Sequence, residues 1–272
     1  MLSLVGMRRR TFIRGLLGTA ALTAVGTAYA GEFERHGFQC EFVPLRLGLP
    51  APLRVALLSD IHFDPLYETG YLESVFAGLA ASKPDLVLYA GDFVTHTAAR
   101  FEEFGSIAAK MQPPLGSFAA MGNHDHYAQV QRVEGVLEAN GIRVLRNNFA
   151  ALPRNDGWFL VGLDSFWAGQ PDPAVLAVLP PSARILSIIH EPDAWDAVRD
   201  PRIRLQVSGH THGGQVRAPW LGAIELPTWG KRYDAGLFER DGRYLYVNRG
   251  IGTVTVHARV NCPPEITIFE LS

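Results

Sequence analysis

Positive charge is scarce once the first thirty residues are set aside. Arg8, Arg9, Arg10 and Arg14 stand in residues 1–30 with no acid, leaving 21 basic against 27 acidic residues in the remainder, a charge of −6. A mildly acidic body argues against a nucleic-acid backbone as main partner. Long apolar runs are also missing: Leu16 to Ala28, at about a dozen residues of modest hydrophobicity, is too short for a comfortable membrane span. Cysteine is nearly absent, with only Cys40 and Cys262. Neither lies where a lipid could be attached after an export signal, and whether the two pair outside the cytoplasm is left open. No internal repeat, low-complexity tract or linker follows residue 52.

What is present begins with an address. Arg8-Arg9-Arg10-Thr11-Phe12-Ile13-Arg14 is basic, the next stretch is apolar and small, and Ala28-Tyr29-Ala30 fits a small-x-small cleavage site before Gly31. That layout reads as an export signal over residues 1–30, with a twin-arginine order that engages machinery carrying folded proteins. An ordinary Sec signal or an uncleaved anchor is the alternative. The remaining residues, 31–272, belong to a chain that is 47% apolar and long enough for one α/β domain with a large core. A monomer is expected, on the periplasmic side or outer face of the bacterial inner membrane.

Five short apolar runs each stop at a polar group of metal-ligand type. Val55 to Ser59 ends in Asp60-Ile61-His62, and Leu86 to Ala90 in Gly91-Asp92. Phe118 to Met121 ends in Gly122-Asn123-His124-Asp125, Ile185 to Ile189 in His190, and Leu205 to Ser208 in Gly209-His210-Thr211-His212. Such runs, rich in β-branched and aliphatic residues and closed by glycine, read as buried strands. Ligands gather at the carboxyl ends of strands in open α/β sheets, so five such endings are expected to converge. One histidine after a strand is usually a satisfied polar residue, and one Gly-Asp usually a turn. Five together are a different matter.

Between these endings the pattern alternates. Phe38 to Leu47 reads as an edge strand. Tyr71 to Leu79, Phe101 to Met111 and Val130 to Ala139 have helical spacing, the last capped by Asn140-Gly141. Short strands and turns fill Arg143 to Ser165, with Asn147-Asn148 and Asn155-Asp156-Gly157 as turn signals, and a helix is expected near Pro173 to Leu179. Beyond Gln215 come strands at Ala223–Leu226, Gly236–Phe238, Tyr244–Asn248 and Glu265–Leu271, with Asp241-Gly242 marking a hairpin. Two packed sheets with helices outside are expected, the first mostly parallel and the second mixed.

Taken in order over residues 53 to 215, these five blocks resemble those of the calcineurin-like metallophosphoesterases. The tail segments Gly213-Gly214-Gln215-Val216-Arg217, Tyr246-Val247-Asn248-Arg249-Gly250 and Pro263-Pro264-Glu265-Ile266 resemble an exported or membrane-associated bacterial branch. That branch includes phosphodiesterases and is similar to some UDP-diacylglucosamine pyrophosphatases. The resemblance implies a four-layer α-β-β-α sandwich of two mixed β-sheets flanked by helices. It implies one divalent ion held by Asp60, His62, Asp92 and His212, and a second held by Asp92, Asn123, His190 and His210, with Asp92 bridging. A carboxylate has two oxygens and can serve two cations, and two ions about 4 Å apart can clamp both oxygens of a phosphoryl transfer. His, Asp and Asn donors suit Mn, Zn or Fe. The nucleophile implied is a hydroxide bridging the ions, with His124 as general acid protonating the leaving oxygen.

Asp125 is expected to orient His124, its alternative role being a turn cap. Arg217, Arg249 and His126 are weaker candidates for substrate contact, with surface ion pairing or plain loop exposure as alternatives. Trp220, Trp229 and Tyr233 are candidates for a rim that receives a lipid or a sugar, or for core packing. Asp64 stands where relatives often carry a small residue. The expected activity is hydrolysis of a phosphodiester or pyrophosphate, possible substrates including a cell-envelope component or a UDP-diacylglucosamine-type lipid precursor. A non-catalytic envelope protein holding anionic lipid or polymer at the metal site is the competing reading.

Overall fold

The computed structural model describes residues 34–65, 68–153 and 157–272, together with Gly26 and Gly31. The other residues of 1–30, where an export signal is expected, and Asn155 and Asp156 of one turn signal, lie outside these residues. Two six-stranded mixed sheets face each other. The first contains β1 (Gln39–Leu45), β2 (Leu53–Leu58), β3 (Leu86–Ala90), β4 (Ser117–Ala120), β5 (Ile142–Val144) and the last strand, β14 (Glu265–Leu271), in the order β1-β14-β2-β3-β4-β5. The second contains β6 (Asn148–Ala151), β7 (Trp158–Gly162), β8 (Arg184–Ile188), β9 (Ile203–Ser208), β12 (Gly236–Arg240) and β13 (Arg243–Val247), in the order β12-β13-β9-β8-β7-β6.

Strands β2 to β5 run parallel, as do β7, β8, β9 and β13. Parallel strands need crossovers, and their sheets are covered on both faces, which is why β3 is apolar and buried at all five positions. The first sheet is mostly parallel as expected, its antiparallel pair arising where β14 lies against β2 and recruits β1 in parallel. Pro44 sits on β1, the edge strand, where a missing N–H costs little.

Between the sheets lies an apolar layer including Val55, Leu57, Leu88, Trp158, Leu186, Leu205 and Phe269. The outer face of the first sheet is covered by α1 (Thr69–Ala81), α2 (Phe101–Ala108) and α4 (Val130–Ala139). In α1 the buried residues Leu72, Val75, Phe76 and Leu79 form the stripe their spacing predicts. Helix α2 ends three residues early: Lys110 and Met111 donate to the carbonyls three residues back, a tightened final turn before the prolines.

The outer face of the second sheet is thinner. It carries a 3-10 turn, Pro173–Val178, where an α-helix was expected, and the single-turn α5 (Ala194–Ala197). Asp172 caps the 3-10 turn by accepting from Ala174 N at 2.9 Å, and Pro173 fixes its entry. The Asp241-Gly242 hairpin forms as read, both residues having positive φ as a two-residue turn of that hand requires. The strand expected at Ala223–Leu226 is instead a small hairpin of β10 (Arg217–Ala218) and β11 (Gly222–Ala223). Among the described residues no helix is long and apolar enough to cross a membrane.

Candidate metal centre

The ends of β2, β3, β4, β8 and β9 meet in one place because hydrogen bonding continues past the strands into the loops. Asp60 N donates to Gly91 O at 2.9 Å, His62 N to Asp92 O at 3.0 Å, and Gly209 N to His190 O at 3.0 Å. The two sheets are joined there by His210 N, which donates to both carboxylate oxygens of Asp60 at 2.9 and 3.0 Å. Close approach is enforced by missing side chains: a Cβ on Gly122 would lie 2.2 Å from Asp92 Oδ1, and one on Gly209 2.3 Å from Asp60 Oδ2.

Two buried clusters result, Asp60 with His62 and His212, and Asp92 with His190 and His210, the ligand atoms of each within 4.8 Å of one another. Asp92 Oδ2 lies 3.1 Å from His190 Nε2 and 3.7 Å from His62 Nε2, so one oxygen faces both clusters. Its other oxygen accepts the backbone N–H of His124 at 2.8 Å, which fixes the carboxylate plane.

The donor set fits cations. His190 Nδ1 donates to Ala90 O at 2.5 Å and His210 Nε2 to Thr228 O at 2.7 Å, leaving His190 Nε2 and His210 Nδ1 to face each other at 3.2 Å. In the other cluster His62 Nε2 and His212 Nε2 are 3.1 Å apart. Two imidazole nitrogens at that range have no room for a proton on each, and a single positive charge between them, a shared proton or a metal ion, satisfies both. The Asn123 side-chain oxygen is buried without a hydrogen-bond partner, an expense that a cation would remove. Backbone strain is concentrated at the same residues: Asp60, His62, Asp92, His210 and His212 all have φ between 48° and 73°. Left-handed conformations at such residues cost about 1–3 kcal/mol each and persist where the surroundings impose them.

Electrostatics point the same way. Burial drives His62 down to about 3 against the pull of Asp92, and burial with His62 and Arg259 nearby holds His212 well below its ordinary value. Both are therefore neutral donors at pH 7. Burial pushes Asp60 up to about 6. For Asp92 burial acts in that direction too, but the charge and hydrogen bond of His190, with His62 and His124, outweigh it and keep the carboxyl below its usual range. His190 answers in kind: burial opposes its charge, and Asp92 raises it well above the ordinary imidazole value.

His124 stands edge-on to His62, ring centroids 4.9 Å apart, and its Nδ1 donates to Thr95 O at 2.8 Å. The expectation that Asp125 orients His124 does not hold. The Asp125 carboxylate accepts instead from the backbone N–H groups of Asp92 (3.0 Å), Phe93 (2.8 Å), Val94 (3.3 Å) and Gly122 (2.9 Å). It is a cap that ties the β3 loop to the start of α3 (Asn123–Tyr127). Replacing Asp125 with Asn presents an NH2 to those donors, so a loss of about 2–4 kcal/mol in unfolding free energy is expected. Denaturant melts of the metal-free protein would check this, and an unchanged midpoint would contradict the capping role.

The three weaker candidates lie apart. His126 Nε2 pairs with Asp164 Oδ1 at 2.6 Å beside a polar cavity of about 600 Å³ that no residue of the two clusters lines. Arg217 is bound to Asp234 at 2.8 Å, and Arg249 to Glu265 and Glu41 at 2.7 and 2.9 Å. Arg217 is thus ion-paired through Nη1, and Arg249 through both Nε and Nη2. Cys40 is exposed and Cys262 buried, both as free thiols, the Cys262 Sγ–H donating to His212 O at 3.2 Å. Of the aromatic trio, Trp220 is exposed, while Tyr233 packs edge-on against Trp195 and Trp229 lies against Phe166. Asp64 is half-buried, its carbonyl accepting Glu68 N at 2.7 Å.

Several supporting residues escaped sequence reasoning. Arg259, fully buried, sends every one of its hydrogen bonds to carbonyl oxygens, those of Arg249, Gly250, Gly252 and Cys262. It thereby clamps the loop whose Gly252 N donates to Asp60 O at 2.8 Å. Glu191 accepts from Ser165, Phe166 and Trp167 and sets a loop that places the Trp167 ring edge-on to His210 at 5.5 Å. Asp164 carried the same signal as the ligands, an apolar strand run ending in a carboxylate, but it is taken up by its own loop and by His126.

Comparison with known proteins agrees with this geometry. The chain is 34% identical over 274 residues to the phosphodiesterase YaeI of Escherichia coli, covering 97% of this chain and 98% of that one. It is 33% identical to the metallophosphoesterase YkuE of Bacillus subtilis, with the same coverage. The UDP-2,3-diacylglucosamine pyrophosphatase LpxG of Chlamydia trachomatis is 28% identical over 80% of this chain and 83% of its own. The model of the calcineurin-like phosphoesterase family matches residues 53–214, a span that opens at β2 and closes two residues beyond His212. With both ligand clusters inside that span, the chain belongs to the calcineurin-like metallophosphoesterases.

Proposed function

We propose that this protein hydrolyses phosphodiester or pyrophosphate bonds at a centre of two divalent ions, Mn, Zn or Fe. Asp60, His62, Asp92 and His212 would hold one ion, and Asp92, Asn123, His190 and His210 the other. The observation that carries this reading is the single Asp92 oxygen facing both clusters. Bound there, the ions would supply a water acidified toward neutral pH and a clamp on the phosphate oxygens. His124 gives its Nε2 proton to the departing oxygen and keeps Nδ1–H on the Thr95 carbonyl, so the neutral ring stays in place. Asp125 acts behind it by holding the loops together. A protein that only binds has no use for such a donor, which favours turnover over passive retention.

Diesters come first as substrates because of the whole-length similarity to a named phosphodiesterase, and lipid-linked pyrophosphates second through the similarity to LpxG. The basic and apolar opening of the sequence supports action on the outer side of the bacterial inner membrane. The test is turnover of a chromogenic phosphodiester by purified protein loaded with one defined metal, with metal content measured in parallel. Hydrolysis that survives complete chelation, or full activity at one ion per chain, would sink the two-ion reading.

Metal uptake is expected to release protons. His190 holds a proton on Nε2 against Asp92 in the metal-free protein, and a cation takes that position. Because the His190 value is raised, the competing proton is retained through neutral pH and affinity weakens further as pH falls. Calorimetric titration in buffers of differing ionisation enthalpy measures this. Identical heats in all buffers would contradict the Asp92–His190 pairing.

A further inference from the structure

From the exposed tip of the β10–β11 hairpin, we infer that this face of the protein docks on a lipid bilayer and presents the metal centre to phosphoesters in lipid head groups. The inference rests on the hydrolase reading for its last clause only. Trp220 is 102% exposed, Leu221 86% and Ile224 69%, adjacent apolar side chains that contribute nothing to the core. Ala218 pairs with Gly222, so Pro219, Trp220 and Leu221 form the loop, and Trp220 holds a positive φ of 65°. A bulky aromatic residue rarely takes that conformation, and here it keeps the ring in solvent. An indole with an apolar body and one N–H donor is suited to the boundary between acyl chains and head groups.

The hairpin is anchored to the metal loop. A Cβ on Gly214 would lie 2.3 Å from the Ala223 Cβ, and Ile224 N donates to Val216 O at 3.2 Å. Trp220 follows His212 by eight residues, a reach below about 28 Å even fully extended. A second apolar projection stands along the same stem. Gln215 donates to Val254 O and Val256 O at 3.2 and 2.6 Å, and Val256 is 57% exposed. The body meets its N-terminal segment at this loop as well: a Cβ on Gly31 would lie 3.7 Å from His257 O, and the apolar stretch Leu16–Ala28 precedes Gly31 in the sequence. The hairpin tip, the Val256 loop and Gly31 are therefore tied to one stem, which runs directly into His212. A bilayer is the occupant that all three suit, since a lone short insertion gives only weak, reversible adsorption and stable attachment takes two.

The test uses the full chain with vesicles of phosphatidylethanolamine and phosphatidylglycerol carrying brominated acyl chains, which quench indoles that reach them. Wild-type emission should fall by the share of one of the five tryptophans, and Trp220→Phe should abolish that fall. Quenching reports the tip itself, so retention on vesicles through residues 1–30 does not mask the answer. Turnover of a soluble chromogenic diester is measured beside it. Quenching without any turnover overturns the hydrolase reading and leaves the docking standing, whereas turnover with quenching that is absent, or unchanged in Trp220→Phe, overturns the docking. Wild-type protein that sediments as a dimer, with Trp220→Ser and Leu221→Ser together restoring the monomer and no quenching, assigns the tip to self-contact instead.

Discussion

Asp92→Ala protein should bind neither ion and show no measurable turnover, whereas loss of any other single ligand should leave one cluster intact. The reason is geometric: among the described residues Asp92 Oδ2 is the one carboxylate oxygen within 4 Å of a histidine from each cluster. Without it, four buried imidazoles face one another with one carboxylate, Asp60, left to balance the charge of two cations. The loss should exceed the roughly 10–100-fold in affinity that follows removal of a group merely supporting a ligand. Asp92→Asn is the useful companion, because its amide retains an acceptor for His124 N while giving up the shared charge. Metal analysis after dialysis against a defined ion reads the result directly. An Asp92→Ala protein that keeps one full equivalent of metal would show that the clusters are independent.

The second large effect belongs to His124. Alanine there keeps the backbone N–H that anchors Asp92 Oδ1, so both ions should remain while the proton donor is lost. Rates on alkyl phosphodiesters, whose leaving oxygen needs a proton, should fall by about 10²–10⁴-fold. Nitrophenyl esters, which leave unaided, should lose much less. Steady-state rates on the two substrate types at fixed metal occupancy provide the measurement. An equal loss on both would remove His124 from the acid role and point to a general disturbance of the site.

Much of this site could be read from residue order. Strands β2, β3 and β8 announce themselves as mainly apolar runs because parallel strands are buried on both faces, β9 keeps only alternate positions apolar, and the polar endings of all four stand out against that background. The same contrast explains the error at Asp125. Its position in the Gly122-Asn123-His124-Asp125 block suggested service to its neighbour, but a carboxylate among four unpaired backbone N–H groups is taken by them first. For Arg217 and Arg249 the sequence left substrate contact and ion pairing both open, because the carboxylate partners, Asp234 and Glu265, come from other segments of the chain.

Sequence by itself determined the ligand-bearing strands, the long helices of the first sheet and the identity of the ligand-type residues, since burial periodicity and abrupt polar endings are properties of neighbours along the chain. The grouping of those ligands about Asp92 came from the family resemblance, and tertiary structure alone decided which oxygen of Asp92 faces both clusters and that Arg259 braces the loop against Asp60. Those facts depend on groups as far apart in sequence as Asp60 and His210, or Asp60 and Gly252, being fixed within hydrogen-bonding range, and local pattern carries no information about such separations.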